Sequence, residues 1–509
     1  MTAVREVGIA RPVDASMYVD GKWVAARDRS VFEVVDPYRQ DVVAHVPEGT
    51  ESDVEHAVSA ARRAFEGPWS GFDPRERRAL LHRAATELAN RQDELEIEET
   101  RCLGVPIRVS SSFLVGAAGL FAESFAELAG VDLTEGLPVQ SAPIPSVSMV
   151  VREPVGVVAS LTPWNFPLLS AVFKVFPALA AGNTVVLKPS PLAPLAAIRV
   201  AEAFEAVGLP PGVLNVVTSS SSEVASCLTG SQEVDLVSFT GSSAVGRLVA
   251  AQAANTFKRV LLELGGKSPV IVLDDADLDC AVDGCLFGAY FNAGQFCESG
   301  TRLFVPRSLC GEFTDRLVAR AATIRLGDPL DWETDMGPLI TSAQHARVCS
   351  YIEAGLTEGA NLVLGGPGNV PAGSTFVQPT IFTNVSSEMR IAREEIFGPV
   401  LAVLPYDNLE DAVRFANDTI YGLAATVWSD DIGQALQVAR RLRAGTVWIN
   451  DHHQVSPANP FGGYKQSGIG RELGLEGLKA YTEVKSIYVD LARKREKKFY
   501  SLLLSTEPE

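Results

Sequence analysis

Between residues 17 and 47 apolar and polar positions alternate in three short runs, "MYVDGKWV", "VFEVVDP" and "DVVAHVP". A period of two predicts short antiparallel strands with one buried face. The period lengthens over residues 51–130. There "ESDVEHAVSAARRAFE" puts apolar residues at helical spacing, with Glu51 or Ser52 available as a cap. From 150 to 265 short apolar runs ("VGVVASLTP", "TVVLKPS", "GVLNVVT", "DLVSFTG", "RVLLELGG") alternate with helical stretches. A second set follows after 266: "SPVIVLD", "TRLFVP", "NLVLGG", "FVQPTIFT", "VLAVLPYD", "ATVWS" and "TVWIND". Strands alternating with helices predict parallel βαβ units, hence an α/β chain with two doubly wound domains. No internal repeat interrupts the pattern, and the only low-complexity stretch is "SSSS" at 219–222.

Composition narrows the function. With 509 residues, 47% of them hydrophobic, the chain can build more than one core. Its formal charge of −18 argues against nucleic acid and anionic membrane partners; the one block of like charge is "ARKREKK". The N-terminus has no apolar signal-peptide core, and no apolar run reaches the roughly 18 residues a membrane helix needs. Seven cysteines at irregular spacings do not form a disulfide framework, and neither CxxC nor HExxH occurs. A reducing, cytoplasmic location without a metal site is expected.

In an open α/β sheet ligands bind beyond the carboxyl ends of the strands, so the loops there carry the chemistry. "DLVSFTGSSAVG" runs from a strand into Gly241, with Ser242 or Ser243 as a cap; this is either a phosphate-binding helix start or a plain capped helix. "VVLKPS" puts Lys188 at a strand end, facing a ligand or snorkelling at the surface. "LTPWNFP" offers Asn165 as an oxyanion donor or a turn residue. "LLELGGKSP" ends an apolar strand on Glu263, which is a general base in a cleft or one half of a structural ion pair. "FNAGQFCESGTR" flanks Cys297 with Gly294, Gln295, Glu298 and Gly300, a setting for a nucleophile or a small core residue.

Together the segments are more specific. "TPWNFPL", "GNTVVLKPS", "GLPPGVLNVV", "VSFTGSSAVG", "LELGGKSP", "GQFCESGTR", "EEIFGPV" and "PFGGYKQSGIGRELG" occur in this order. By these motifs the chain resembles the NAD(P)-dependent aldehyde dehydrogenase superfamily over nearly its whole length. The resemblance implies a dehydrogenase in which Cys297 attacks the aldehyde carbon and Asn165 with the Cys297 N–H stabilises the oxyanion. Hydride passes to the nicotinamide, and Glu263 activates the water that cleaves the thioester. It implies coenzyme contacts from Lys188, Ser242, Glu395, Phe397 and Gln344, with Trp164 and Leu264 lining the path. It also implies an aldehyde tunnel of Phe166, Ser170, Phe173, Phe296, Val455 and Phe461, which suits an aromatic or medium-chain apolar aldehyde. A quaternary-ammonium aldehyde would want an aromatic cage, to which Phe173 and Phe461 could contribute, though tryptophan is usual at those places in that subgroup. His452 and His453 are either a polar contact at the tunnel mouth or solvated loop residues.

One departure bears on the coenzyme. Many NAD-preferring members carry a glutamate three residues after the lysine, where it repels a 2′-phosphate; here Pro191 stands there. NAD is the expected coenzyme, with NADP not excluded by charge. The implied domains are a dinucleotide-binding domain over 1–135 and 155–265 and a catalytic domain over 266–470. An oligomerisation flap with a C-terminal tail takes 136–154 and 471–509. The flap's exposed edge predicts a homodimer or homotetramer. A cysteine hydrolase would pair Cys297 with His452, and a CoA-acylating enzyme would dispense with Glu263; the cofactor loops oppose the first and Glu263 the second.

Overall fold

The structure is a computed structural model, and it describes residues 12–141, 144–366, 368, 370, 373–492 and 498–504. The first eleven residues and most of the basic run in the tail lie outside the described residues. Met17–Val19 (β1) and Lys22–Val24 (β2) form a hairpin. Asp20 and Gly21 turn it at φ of 52° and 72°, a turn whose twist matches that of the strands. Val31–Val35 and Val42–Pro47 pair antiparallel in a separate sheet that Val13–Asp14 completes.

The five apolar runs of the 150–265 region become Val157–Thr162 (β3), Thr184–Pro189 (β4), Leu214–Val216 (β5), Leu236–Thr240 (β6) and Arg259–Glu263 (β7). All five are parallel. The later runs become Pro269–Val272 (β8), Arg302–Pro306 (β9), Asn361–Leu364 (β10), Thr380–Thr383 (β11), Val400–Tyr406 (β12), Ala424–Trp428 (β13) and Thr446–Ile449 (β14). Gly468–Ile469 (β15) returns to pair antiparallel with β7. The first sheet has eight strands in the order β15-β7-β6-β3-β4-β5-β1-β2, and the second has seven in the order β10-β11-β12-β9-β8-β13-β14. In the first, the chain goes from β3 to one side and comes back on the other, so its switch point lies between β3 and β6. The loops carrying Asn165 and Ser242 leave from those two strand ends. The Glu263 strand, β7, runs through Leu264–Ser268 directly into β8, so the carboxyl edge of the first sheet meets the amino edge of the second.

Helix Glu51–Glu66 (α1) is capped by Thr50, not by Glu51 or Ser52, which lie in its first turn. Thr50 accepts the Asp53 N–H, and the Asp53 carboxylate accepts the Thr50 N–H. This reciprocal pair satisfies two donors that would otherwise be orphaned. Ile107–Leu128 (α2) is continuous through a π-helical stretch, Ser110–Val115. Among the described residues it is the one helix long and apolar enough to cross a membrane. Its Leu114, Phe121 and Phe125 are buried in the core against Pro74–Asn90 and Pro167–Ala180 (α3). Its apolar residues on one face are thus covered by neighbouring helices, and Ser110, Ser111, Ser112 and Glu123 interrupt the apolar positions, which is why a scan for consecutive apolar residues passes over it. Ser146–Pro154 and Thr482–Asp490 form an antiparallel ladder extended by Glu135–Gly136. Thr482–Asp490 is an edge strand with Val484, Ile487, Tyr488 and Val489 exposed.

Candidate active site

Cys297 sits in the loop between Phe291–Gly294 and β9. Asn292, Ala293 and Gly294 lie in succession at φ of 50°, 54° and 70°. Two consecutive non-glycine residues there cost roughly 1–2 kcal/mol each, strain that the surrounding packing must hold. It is held closely. A Cβ on Gly294 would lie 2.4 Å from the Gly398 carbonyl oxygen, and one on Gly266 would lie 2.3 Å from the Cys297 carbonyl oxygen. The LELGG turn therefore presses bare backbone against the cysteine loop, which explains the glycine at 266. Cys297 is half-buried. Burial pushes its thiol well above the ordinary value, and the carboxylates of Glu298, Glu395 and Glu263 push it further.

Asn165 is buried at the switch point. Its Nδ2 donates to the Gln295 carbonyl at 3.0 Å, while the Asn292 Nδ2 donates to the Asn165 carbonyl at 3.3 Å. One of the two amide hydrogens of Asn165 is thereby used to anchor it to the cysteine loop, and the other is free for a ligand. Glu263, the last residue of β7, is 4% exposed, and neither carboxylate oxygen has a hydrogen-bond partner. Burial raises its pKa well above the usual carboxylate range, and the neighbouring Glu472 charge adds to this. Lys174 and Arg471 oppose it. The ion-pair reading of Glu263 thus finds no partner at hydrogen-bond distance. A Cβ on Gly462 would stand 2.5 Å from Glu263 Oε1, so this carboxylate also needs a glycine beside it.

The buried ion pair is a different one, which the sequence alone did not single out. Lys174 Nζ donates to Glu472 Oε1 at 2.7 Å and to Ser238 Oγ at 2.9 Å, with both charged side chains buried. Its signal is a lone lysine in the apolar helical run "SAVFKVFPALAAG".

Apart from Gln344, the residues expected to contact a coenzyme lie on or just after β3, β4, β6 and β7 and on the segment before β12. Ser242 caps helix Ser243–Ala254 (α4), accepting the Val245 N–H at 3.3 Å, and Leu264 packs against Gly246 so tightly that a Cβ there would clash at 2.5 Å. Lys188 is buried, not snorkelling; its Nζ donates to the Ser219 carbonyl at 2.8 Å. Burial lowers its pKa to about 8 against the opposing pull of Glu48. Glu395 accepts the Gly266 N–H at 3.1 Å, and burial raises its pKa to about 7. Phe397, at φ 61°, meets Trp164 edge-on at 5.3 Å, and Gln344 Nε2 donates to its carbonyl at 2.7 Å. Gln344 thus holds the Phe397 backbone with the amide expected to face a ribose.

The aromatic residues divide into two groups. Phe166 and Phe296 lie 4.3 Å apart, joined by Phe113 and Phe291, neither of which the sequence singled out. Phe113 stands in the π-helical stretch of α2, a distortion with no sequence signature. Phe173 packs instead on Phe121 and Phe125, at 4.7 and 6.4 Å. Ser170, Val455 and Phe461 are partly buried; Val455 and Phe461 pack on the same core as Cys297. His452 and His453 are both buried, so the solvated-loop reading does not hold. His453 stacks on Phe296 at 4.5 Å, with Nδ1 2.8 Å from Glu298 Oε1. Burial lifts Glu298 to about 8 and depresses His453 to about 3. The two neighbours of Cys297 are thereby both pinned by one histidine ring.

The aldehyde dehydrogenase family model matches residues 23–487. A betaine aldehyde dehydrogenase of Bacillus subtilis is 44% identical over 478 residues, covering 93% of this chain and 97% of that one. An aldehyde dehydrogenase of Bacillus cereus, solved as an NAD+ complex, superposes with a TM-score of 0.91 at 42% identity, covering 94% of this chain and 97% of the other. A betaine aldehyde dehydrogenase of Staphylococcus aureus, solved with NAD+, gives 0.92 at 42% identity over 95% of this chain and 96% of its own.

Proposed function

The chain belongs to the aldehyde dehydrogenase family, and from that premise we propose that it oxidises an apolar aldehyde to its carboxylic acid with NAD. Cys297 is the nucleophile, Asn165 the oxyanion donor and Glu263 the deacylation base. The observation that carries this reading is Glu263: a buried carboxylate with both oxygens unpartnered, at the junction of the two sheets and within electrostatic reach of the Cys297 thiol. Such a group is destabilising unless it serves the chemistry, and its raised pKa makes it a better proton acceptor than an ordinary carboxylate.

These residues suit a dinucleotide. The α4 N-terminus stands at the switch point, the Gly246–Leu264 contact packs helix tightly on strand, and the buried Lys188 ammonium has one backbone acceptor in hand and two donors to spare. Lys188 and Glu395 would hold the two riboses, Ser242 the pyrophosphate, and Trp164, Leu264, Phe397 and Gln344 the path between. The bound coenzyme supplies the hydride acceptor. Of the chain's own residues, Cys297 Sγ bonds the aldehyde carbon after losing its proton. The free Asn165 amide hydrogen and the Cys297 N–H hold the developing oxyanion. After oxidation the acyl group remains on Sγ as a thioester. Glu263 takes a proton from water, whose oxygen adds to the acyl carbon, and the acid leaves as the thiol is restored.

The Phe166–Phe296–Phe291–Phe113 cluster supports an aromatic or medium-chain aldehyde, with no charged side chain among the tunnel residues. A quaternary-ammonium aldehyde is the second reading, favoured by the names of the two betaine aldehyde dehydrogenases above. The exposed edge of Thr482–Asp490 supports a second copy covering it, in a homodimer or homotetramer. The test is Cys297→Ala with a panel of both aldehyde types. Coenzyme binding should persist and aldehyde-dependent NAD reduction should vanish; substantial residual turnover would remove the nucleophile from Cys297.

A further inference from the structure

Pro191 leaves the Lys188 end of the proposed coenzyme site without the acidic residue that discourages a 2′-phosphate, yet a carboxylate is there. Glu48, which follows the strand Val42–Pro47, reaches the loop after β5. Its Oε1 accepts the Ser219 hydroxyl and the Ser220 N–H, the latter at 2.8 Å, and its Oε2 accepts the Ser220 hydroxyl at 2.6 Å. These bonds hold its pKa below the ordinary value despite partial burial, so it is ionised. The same Ser219 offers its carbonyl to Lys188 Nζ. Lys188 and Glu48 thus grip opposite ends of one serine, and the Glu48 charge is felt at the Lys188 ammonium.

The donors that Glu48 satisfies are two hydroxyls and one backbone N–H, with an ammonium behind them. That set would equally suit a phosphate dianion. We infer that Glu48 is the residue that selects NAD over NADP, because its carboxylate both occupies the donors an adenosine 2′-phosphate would need and repels the phosphate by charge. The inference rests on the proposed coenzyme site and adds to it a residue 143 positions from Pro191 in the chain. It also accounts for the serine tract 219–222, in which Ser219 and Ser220 hold the discriminating carboxylate and Ser221 caps the helix Ser222–Gly230.

The test uses the full-length protein and equilibrium titration by calorimetry, with 5′-AMP and adenosine 2′,5′-bisphosphate as probes that undergo no chemistry. Wild type should bind 5′-AMP and discriminate against the bisphosphate. Glu48→Gln should tighten the bisphosphate by on the order of tenfold, the size expected for removing one like charge within several ångströms, and leave 5′-AMP within about twofold. Glu48→Asp, which keeps the charge, should keep most of the discrimination. Ser220→Ala in the Glu48→Gln background should erase much of the gain. An unchanged ratio of the two affinities in a folded Glu48→Gln protein would overturn the inference while leaving the coenzyme site standing. Failure of wild type to bind 5′-AMP or NAD would overturn both.

Discussion

Replacing Glu263 by glutamine should stabilise the protein, and only at higher pH. The native carboxylate is buried, has no hydrogen-bond partner, and is pushed up by burial first and by Glu472 second. An unfolded glutamate ionises near 4.3. Folding therefore favours the protonated form, so the stability is fully present below the unfolded pKa and is lost as pH rises through it toward the raised folded value. At 1.36 kcal/mol per pH unit, the loss accumulated by pH 7 reaches up to about 3–4 kcal/mol. Glutamine has no proton to lose but keeps an unpartnered buried amide, at about 1–3 kcal/mol. The net expectation is a gain at pH 8, bounded above by that loss, and no gain, or a small loss, at pH 5. Urea denaturation of both proteins at the two pH values and one fixed protein concentration measures it. A variant destabilised at pH 8 by as much as at pH 5, or more, would mean that Glu263 has a partner in the fold and is no orphan.

Lys174→Met removes the cation from a buried pair and strands Glu472; it should cost about 3–5 kcal/mol by the same denaturation assay, and Lys174→Met with Glu472→Leu should recover much of the loss. Phe296→Ala opens the aromatic cluster beside Cys297 and frees the His453 ring, so KM for aromatic aldehydes should rise at least tenfold in steady-state assays while NAD affinity stays within about twofold.

The order of strands and helices was legible because parallel, covered strands read as apolar runs; each of the twelve runs after residue 150 contains a strand, and all but the antiparallel edge strand Asn361–Leu364 are parallel to a neighbour. Cys297, Asn165 and Glu263 were legible as oddities: a carboxylate ending an apolar strand, an asparagine between aromatics, a cysteine among glycines. The residues that surround them were not. Phe113 enters through a π-helical distortion that no spacing encodes, and Phe291 through three left-handed residues of which only one is glycine. His453 looked like a loop residue because its partner, Glu298, lies 155 positions away, and nothing local in the sequence marks the pair. The α1 cap shifted by one residue for a local reason: Thr50 can exchange hydrogen bonds with Asp53, whereas Glu51 and Ser52 already lie inside the first turn.

The most direct test of the account is rapid mixing of Glu263→Gln with NAD and an apolar aldehyde, following reduced coenzyme by absorbance. The account predicts a burst of about one equivalent per active site, because acylation of Cys297 survives. Turnover should then be slower than wild type by on the order of 10²–10⁴-fold, the contribution typical of a general base. Absence of the burst, or steady-state turnover equal to wild type, would contradict the assignment of Glu263 and the two-step path through Cys297.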